Sequence, residues 1–359
     1  MSIELTYRQY LSGDEEGIID VLLKAFPVWR NLKYPFDYWK WKYIDAPFGA
    51  TTVVALHEKK VVCVGHTIYL NLKLGYSIVL LGFGADAATL YEYRGMGAYK
   101  NSQNLLDKLT GEIEKFHLFL SDVPTVINDS VIRGRIDFSH QLFYMIKIKD
   151  VDLHLKAKPV KNPSLMKYGY FLKKTLNRVT SLFIPNFKNK SPFVIEEIKN
   201  FDDRINYFWL KAKEGYTYIT EKNRKYLNWR YCDPRAGEFI VLQAISSEMV
   251  LGYIVIEVRK NDDYAEGYIV DLLTLPDRID VADNLFTEGE RILDKLGVNT
   301  IYYMIVEGHP YQKISLKHGL IRYKPVQYLK INIKSSEKEY EIMKNFQNKQ
   351  ILLNYGDIF

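Results

Sequence analysis

A pair of matching stretches, one in each half of the chain, constrains the fold more than any other feature of the sequence. YWKWKYIDAP occupies residues 38–47, and YLNWRYCDP occupies residues 226–234. Five positions match at a constant offset of 188 residues: Tyr38 and Tyr226, Trp41 and Trp229, Lys42 and Arg230, Tyr43 and Tyr231, and Asp45 and Asp233. The chain has only five tryptophans, so chance is a poor explanation for this match. The repeat predicts one folding unit written twice, with the two tryptophans as fold anchors.

The residues around the two motifs follow a common pattern. Each copy opens with a short alternating strand, at 3–8 or 194–198, and an amphipathic helix with an acidic start, at 13–26 or 201–212. After the motif come β-rich runs, with HEKK and SSEM as hairpin turns. A strand, a helix and a strand follow, at 76–86, 100–116 and 118–123 in the first copy and at 265–275, 281–296 and 300–306 in the second. The order β–α–α–β–β–β–α–β indicates a mixed α/β layer structure.

Length and cysteine content limit the organisation further. A chain of 359 residues is longer than one typical core supports. We expect an N-terminal domain at 1–150, a basic linker with a helix at 151–192, a second domain at 193–335, and a helix and tail at 336–359. No signal segment and no apolar run of about 18 residues occurs. Cys63 and Cys232 provide no disulfide framework and no metal-ligand spacing. We therefore expect a cytoplasmic protein without a metal.

The positive charge is concentrated in one segment. Residues 153–195 contain nine Lys or Arg and no Asp or Glu, so the rest of the chain carries 6 − 9 = −3 of the net charge of +6. No DNA-binding module accompanies the segment, and DNA is not an expected partner. Within it, residues 165–183 have apolar side chains at roughly helical spacing and only positive charges. This pattern fits a helix on an anionic membrane surface, or a connecting helix packed on its own domain with its lysines in solvent. The moderate amphipathicity favours the connecting helix.

A glycine-rich turn lies between the last strand and the last helix of the first copy. It reads Arg94-Gly95-Met96-Gly97-Ala98, and the helix is expected to begin near Tyr99. The first amides of a helix lack internal partners, and a glycine turn lets several of them point at one anion. A plain turn with left-handed glycines is the structural alternative. The G-x-G-x-x-A pattern from Gly82 to Ala87 also fits a dinucleotide loop, but no helical pattern follows it directly.

The stretch YRGMGAY resembles the Arg/Gln-x-x-Gly-x-Gly/Ala loop of the GCN5-related N-acetyltransferases, the GNAT family. The resemblance covers nearly all of the first copy and, in pattern only, most of the second. It implies an α/β fold of two tandem GNAT-like domains, each a mixed, mostly antiparallel sheet flanked by helices. It also implies acetyl-CoA or another acyl-CoA as co-substrate. The implied donor-binding residues are Ala87, Ala88, Thr89, Leu90, Arg94, Gly95, Met96, Gly97, Ala98, Tyr99, Lys100 and Asn128.

Two positions depart from the family pattern. Tyr99 stands where the family usually has glycine or alanine, which could narrow the groove. Many family members have a tyrosine that acts as the acid for the leaving thiolate, and the stretch INDSVIRGRIDF at 127–138 contains no tyrosine. Water, or Tyr144 from the last strand, would have to supply the proton instead. The second copy reads LPDRID at 275–280, where the first copy has its glycine turn, so we do not expect it to bind a coenzyme in this way.

Acyl transfer to an amine needs a group that accepts the amine proton. Asp86, on the strand before the turn, is the best-placed base if burial raises its pKa, and Glu92 is the second candidate. His66 is a third, since the family's cleft includes its strand. Structural roles remain open for both Asp86 and His66, because a strand-end carboxylate can satisfy backbone amides and a lone buried histidine is commonly structural.

These features predict an N-acyltransferase, specifically an N-acetyltransferase that transfers an acyl group directly from acyl-CoA to a small amine. Two alternatives stay open: a non-catalytic GNAT scaffold that binds or senses a ligand, and a Fem-type aminoacyl transferase that uses charged tRNA. The identity of the amine, the acyl chain length and the oligomeric state are open at this point.

Overall fold

The chain divides into two compact units. The computed structural model describes residues 3–111, 113–114, 116–121, 136–184, 192–261, 263–306, 308–333 and 351–352. Unit 1 comprises Met1–Ser139, Asp233–Ala236 and Leu329–Asn345, and unit 2 comprises His140–Cys232, Gly237–Tyr328 and Phe346–Phe359. The domain limits expected from the sequence, with a boundary at residue 150, stay a prediction.

Unit 1 contains a mixed sheet with the strand order β1-β2-β3-β4-β5. The strands are β1 (Thr6–Gln9), β2 (Ala50–His57), β3 (Lys60–Leu74), β4 (Ser77–Thr89) and β5 (Phe116–Ser121). Neighbouring strands are antiparallel except for β4 and β5, which are parallel. The helices are α1 (Glu15–Ala25), α2 (Pro27–Arg30), α3 (Pro35–Trp39) and α4 (Ala98–Thr110). A π-helical turn (Lys40–Ile44) extends α3, and a 3-10 turn (Tyr91–Tyr93) follows β4.

The core of unit 1 forms where α1 and α4 pack on β3. In α1, Ile18, Val21 and Leu22 recur at helical spacing and are fully buried, while Glu15 and Glu16 stabilise the first turn through the helix dipole. The strand β3 is buried from Val61 to Leu70 without a break, a pattern typical of a strand covered on both faces. This burial holds β3 and β4 firmly at the positions that carry the candidate site.

Unit 2 has the same kind of mixed sheet, with the order β6-β12-β11-β10-β9-β7. Among the described residues of this order, β11 and β12 pair in parallel and the other recorded pairs are antiparallel; β8 and β14, outside the order, are also parallel. The strands are β6 (Ile136–Ile148, in unit 2 from His140), β7 (Val194–Ile198), β8 (Tyr218–Thr220), β9 (Phe239–Ser246), β10 (Met249–Asn261), β11 (Tyr264–Thr274), β12 (Thr300–Val306), β13 (Ile321–Ile333, in unit 2 to Tyr328) and β14 (Ile351–Leu352), which pairs with β8. The helices are α5 (Val151–Ala157), α6 (Pro163–Ser181), α7 (Arg204–Ala212), α8 (Arg224–Leu227), α9 (Ile279–Lys295) and α10 (Gln312–Lys317), with a π-helical turn at Asn228–Cys232.

The fold class expected from the sequence is confirmed, since each unit is a mostly antiparallel sheet with flanking helices. Both copies of the repeated motif form a π-helical turn. Tyr43 and Tyr231 are buried in these turns, whereas Trp41 is buried and Trp229 is only half-buried. Of these two aromatic positions, the tyrosine is therefore the one that is buried in both copies of the motif. That the units arose by tandem duplication stays a prediction.

Candidate active site

The predicted phosphate loop forms a tight left-handed turn at the start of α4. Gly95 and Gly97 both have φ of +81°, and Gly97 is the residue that caps the helix, which begins at Ala98. A residue with a Cβ rarely adopts this backbone conformation. A Cβ added at Gly95 would have no heavy atom within 4 Å, and one at Gly97 would lie 3.5 Å from Asn101 Nδ2. The glycines are thus required by backbone conformation rather than by crowding, and the space beside them is open.

The amides of this turn are suited to binding an anion. Within the part of the chain that the structure describes, the backbone N–H groups of Gly95, Met96, Gly97 and Ala98 make no backbone hydrogen bond of normal geometry. They lie at the positive end of the dipole of α4. Arg94 is exposed next to them, with its Nε 3.4 Å from the carbonyl oxygen of Thr89 and its guanidinium over the ring of Tyr91. The turn therefore brings together the backbone amides of residues 95–98, the N-terminus of α4 and the side chain of Arg94.

The strand that leads into this turn separates from its parallel neighbour. β4 pairs with β5 from Leu81 to Phe83, opposite Phe116 to Leu118. Beyond Phe83, β4 continues to Thr89 with no further pairing to β5 among the described residues. The predicted donor-binding residues on this free part are Ala87, which is half-buried, and Ala88 and Thr89, which are buried; Leu90, just after the strand, is also buried. Asn128 lies outside the described residues.

A β-bulge places the side chain of Asp86 in a polar cluster. The β3–β4 register shifts between Val64 and His66, and Asp86 has φ of +45° at this point. Its Oδ2 accepts a hydrogen bond from Lys42 Nζ at 2.8 Å and from Tyr43 OH at 2.5 Å. Burial raises the pKa of Asp86, but the positive charge of Lys42 and these two hydrogen bonds outweigh it and hold the pKa below its usual value. The expected raised pKa is therefore wrong in direction.

His66 belongs to the same cluster and is buried. Its Nε2 accepts a hydrogen bond from Trp39 Nε1 at 3.1 Å, so the proton of the neutral ring lies on Nδ1, which is 3.3 Å from the carbonyl oxygen of Asp86. The ring stacks on Tyr43 with centroids 3.9 Å apart. Burial is the main cause that lowers the pKa of His66 to about 4. The structure thus brings Asp86 and His66 together.

Glu92 has different surroundings. It lies on the exposed 3-10 turn, and its recorded partner is Lys60, at 3.3 Å. Lys42, Tyr43 and Trp39 take part in the cluster, and the sequence-based selection of catalytic candidates missed them. Lys42 and Tyr43 are matched positions of the repeated motif, from which the sequence predicted a repeated folding unit and no role in the site.

The environment of His66 gives a prediction for pH dependence. We expect its imidazole to stay neutral well below pH 6.5 and to titrate near pH 4, because a charged ring would lie buried beside Lys42. The unfolded chain would bind a proton in this interval that the folded state does not. The neutral, buried His66 therefore costs the protein no stability above pH 6.5. By pH 4 its effect has lowered the free energy of unfolding by about 3 kcal/mol. Histidine NMR, assigned with His66→Gln, measures this directly, and a midpoint near 6.5 would contradict it.

Unit 2 has a related cluster at the corresponding strand. Tyr231 OH donates to Asp271 Oδ2 at 2.9 Å, as does Tyr253 OH at 3.1 Å, and Lys222 Nζ lies 3.1 Å from the same oxygen. The β10–β11 register also shifts here, between Val255 and Ile256. In both units, therefore, the tyrosine of the repeated motif donates to an aspartate at a bulged strand, and a lysine neutralises that aspartate.

The chain was compared with known proteins in three ways. No protein-family model matches it, and no curated protein matches it in sequence. Solved structures do match. A conserved protein from Enterococcus faecalis V583, described as a probable N-acyltransferase, has a TM-score of 0.64 at 11% identity, over 92% of this chain and 73% of that chain. A GCN5-related N-acetyltransferase from Anabaena variabilis ATCC 29413 has a TM-score of 0.59 at 12% identity, with the coverage again 92% and 73%.

A third solved structure, a candidate acetyltransferase from Pyrococcus horikoshii, has a TM-score of 0.53 at 10% identity, over 92% of this chain and 91% of that chain. At these identities the likeness concerns the fold, and it extends over most of both units. The chain has the fold of the GCN5-related N-acetyltransferases.

Proposed function

We propose that the protein is an acyl-CoA-dependent N-acyltransferase whose donor site lies in unit 1. The observation that carries this proposal is the turn at Gly95 and Gly97. Its amides make no backbone hydrogen bond of normal geometry among the described residues, and it follows a strand that has left its parallel partner. In a GNAT fold, these two features offer an anion site and an adjacent slot for an extended chain.

The residues at the turn fit the phosphates of coenzyme A. A pyrophosphate would accept hydrogen bonds from the amides of residues 95–98, and each charge-assisted bond contributes roughly 1.5–3 kcal/mol. Arg94 and Lys100 are exposed and add positive charge on either side. Tyr99, in the first turn of α4, is half-buried. The pantetheine arm would run beside residues 87–90, and the thioester would supply the activated acyl group.

The chain's own residues have a positioning role in this scheme. Lys42 and Tyr43 hold the carboxylate of Asp86, which fixes the bulge from which the rest of β4 leads to the phosphate loop. Because its pKa is lowered, Asp86 is a weak acceptor for the amine proton, and Tyr43, whose pKa is raised by burial, keeps its own proton. The neutral amine would attack the thioester carbonyl carbon, the C–S bond would break, and the thiolate would take up a proton. We propose that water accepts the amine proton.

A second candidate function is a non-catalytic module that binds the acyl-CoA as a signal. The engaged carboxylate of Asp86 and the low pKa of His66 favour it, since neither expected base is ready to accept a proton at neutral pH. The tRNA-dependent transferase and the cytoplasmic location stay predictions.

Calorimetry and a thiol assay separate these functions. We expect acetyl-CoA and CoA to bind with micromolar dissociation constants, and free thiol to accumulate when acetyl-CoA is incubated with the protein and a panel of polyamines, amino sugars and amino acids. Binding without thiol release from any amine would favour the module. The absence of binding to both ligands would refute the donor site.

A further inference from the structure

In the helix α6 of unit 2, polar side chains face the protein and most of the large apolar side chains are exposed. Its two buried residues are Tyr170 and Asn177. Tyr170 OH donates to the carbonyl oxygen of Ile148 at 3.0 Å and accepts from the amide of Ile148 at 2.8 Å. Asn177 Nδ2 donates to the carbonyl oxygen of Leu316 at 3.0 Å. The helix is therefore held on unit 2 largely by hydrogen bonds from polar side chains rather than by its leucines.

Exposed large apolar residues run along α6. Leu165, Tyr168, Leu172, Leu176 and Val179, with Phe183 just beyond the helix end, form one stripe, and Phe171 and Leu182 lie beside it and are also exposed. Leu176 is 57% exposed and Phe183 is 84% exposed. At 100° per residue these six positions fall within about 80° of the helix circumference, on the side opposite Tyr170 and Asn177. As a connecting helix, α6 packs on unit 2 through Tyr170 and Asn177, and this packing leaves the apolar stripe exposed.

The charges of α6 are all positive. Lys167, Lys173, Lys174 and Arg178 lie along the helix, which contains no Asp or Glu. Lys167 pairs with Asp152, whereas the other three have no carboxylate partner among the described residues. Burial and the nearby positive charges of Arg178 and Lys147 lower the pKa of Lys174. The helix therefore presents uncompensated positive charge next to its apolar stripe.

We propose that α6 is a membrane-surface helix that places unit 2 on an anionic lipid bilayer. A bilayer interface offers an apolar phase for the stripe and, at nearly the same depth, anionic headgroups for the flanking lysines and arginine, whose stems extend toward the headgroups. No helix among the described residues has the length and apolar content to cross a bilayer, so the contact is interfacial.

Two other occupants fit the surface less well. A second copy of the chain would bring another all-basic helix against this one, and the like charges would repel. A nucleic acid would neutralise the charges but leave Leu165, Leu172 and Leu176 in water. An anionic bilayer satisfies the charges and the apolar side chains together. This inference does not depend on the proposed acyltransferase function.

Vesicle co-sedimentation tests the proposal. We expect the full-length protein to bind vesicles of phosphatidylcholine and phosphatidylglycerol in equal parts, to bind phosphatidylcholine vesicles weakly, and to dissociate in high salt. Lys173→Gln and Arg178→Gln are each expected to weaken binding about fivefold. The double variant Leu172→Ser, Leu176→Ser is expected to lose at least about a hundredfold in binding. Because both leucines are exposed, its fold and stability should be unchanged.

A matched control removes exposed apolar side chains elsewhere. Val28 in α2 and Leu210 in α7 are comparably exposed, and Val28→Ser with Leu210→Ser should leave vesicle binding intact. A second measurement uses Leu176→Trp, whose fluorescence brominated lipid should quench if the stripe enters the bilayer. The proposal is overturned if the wild-type protein does not bind anionic vesicles or if the leucine double variant binds them as well as the wild type does. It is also overturned if sedimentation analysis shows that the wild-type protein self-associates and that the double variant does not.

Discussion

Replacing Gly97 with leucine is expected to weaken CoA binding by at least about a hundredfold, the largest effect on binding that we predict for a single substitution. Gly97 has φ of +81°, and a leucine side chain here would disturb the turn or fill the open space beside it. Loss of two charge-assisted hydrogen bonds to a pyrophosphate accounts for a change of this size. Isothermal calorimetry with CoA measures it, and unchanged binding would exclude the turn as the phosphate site.

Gly75 provides a matched control for this variant. It lies in the β3–β4 hairpin with φ of +60° and no heavy atom within 4 Å of an added Cβ. The loop and this hairpin lie at opposite ends of β4, roughly 40 Å apart along the strand. Gly75→Leu and Gly97→Leu should each lower the free energy of unfolding by about 1–2 kcal/mol, because both force a left-handed conformation on leucine. Only Gly97→Leu should lose CoA, so an equal loss in both variants would point to general destabilisation.

Replacing Lys222 with methionine is expected to lower the free energy of unfolding by about 3–5 kcal/mol, the largest stability effect that we predict. Lys222 and Asp271 are both fully buried, with 3.1 Å between Nζ and Oδ2. Without the lysine, the carboxylate would keep the hydroxyl donors of Tyr231 and Tyr253 but lose the positive charge of Lys222. Urea denaturation measures the change.

Two further variants show whether the isolated buried charge is the cause. Lys222→Met combined with Asp271→Asn should be more stable than Lys222→Met alone, since the amide carries no charge and can still accept hydrogen bonds from the tyrosines. Lys42→Met in unit 1 should cost less, because the side chains of Lys42 and Asp86 are 13% and 19% exposed and water screens the remaining charge. If Lys42→Met and Lys222→Met lower the free energy of unfolding by the same amount, burial does not determine how much these two ion pairs contribute to stability.

Several elements of the fold could be predicted from local sequence. The strands at 194–198 and 300–306 were predicted with the bounds that the structure shows, because a short β-rich run between turn signals specifies a strand locally. The helix after the glycine turn was predicted to begin near Tyr99 and begins at Ala98, capped by Gly97. Its end was misjudged: the structure ends it at Thr110, before Gly111, not at residue 116. Gly111, with Lys108 in the turn before it, is a helix stop signal, and the sequence-based bounds ran past it.

The electrostatics of the candidate site could not be predicted in the same way. Asp86 is in the predicted strand, but its partners Lys42 and Tyr43 come from a segment more than 40 residues earlier. Burial alone would raise the pKa of Asp86, and the positions of the Lys42 ammonium and the Tyr43 hydroxyl reverse the direction. The same holds for α6, whose all-basic sequence was evident, while the side on which its leucines lie was decided by packing.

The sequence by itself determined the periodic and local features of this protein: the repeated motif, the order of helices and strands, and the left-handed glycines before α4. These depend on backbone conformation and on side-chain spacing within a few residues. The tertiary structure decided which charges meet, namely Lys42 with Asp86 and Lys222 with Asp271, and which face of α6 is buried. Contacts between residues far apart in the chain depend on the bulges and packing that bring strands and turns together, and no local pattern encodes those distances.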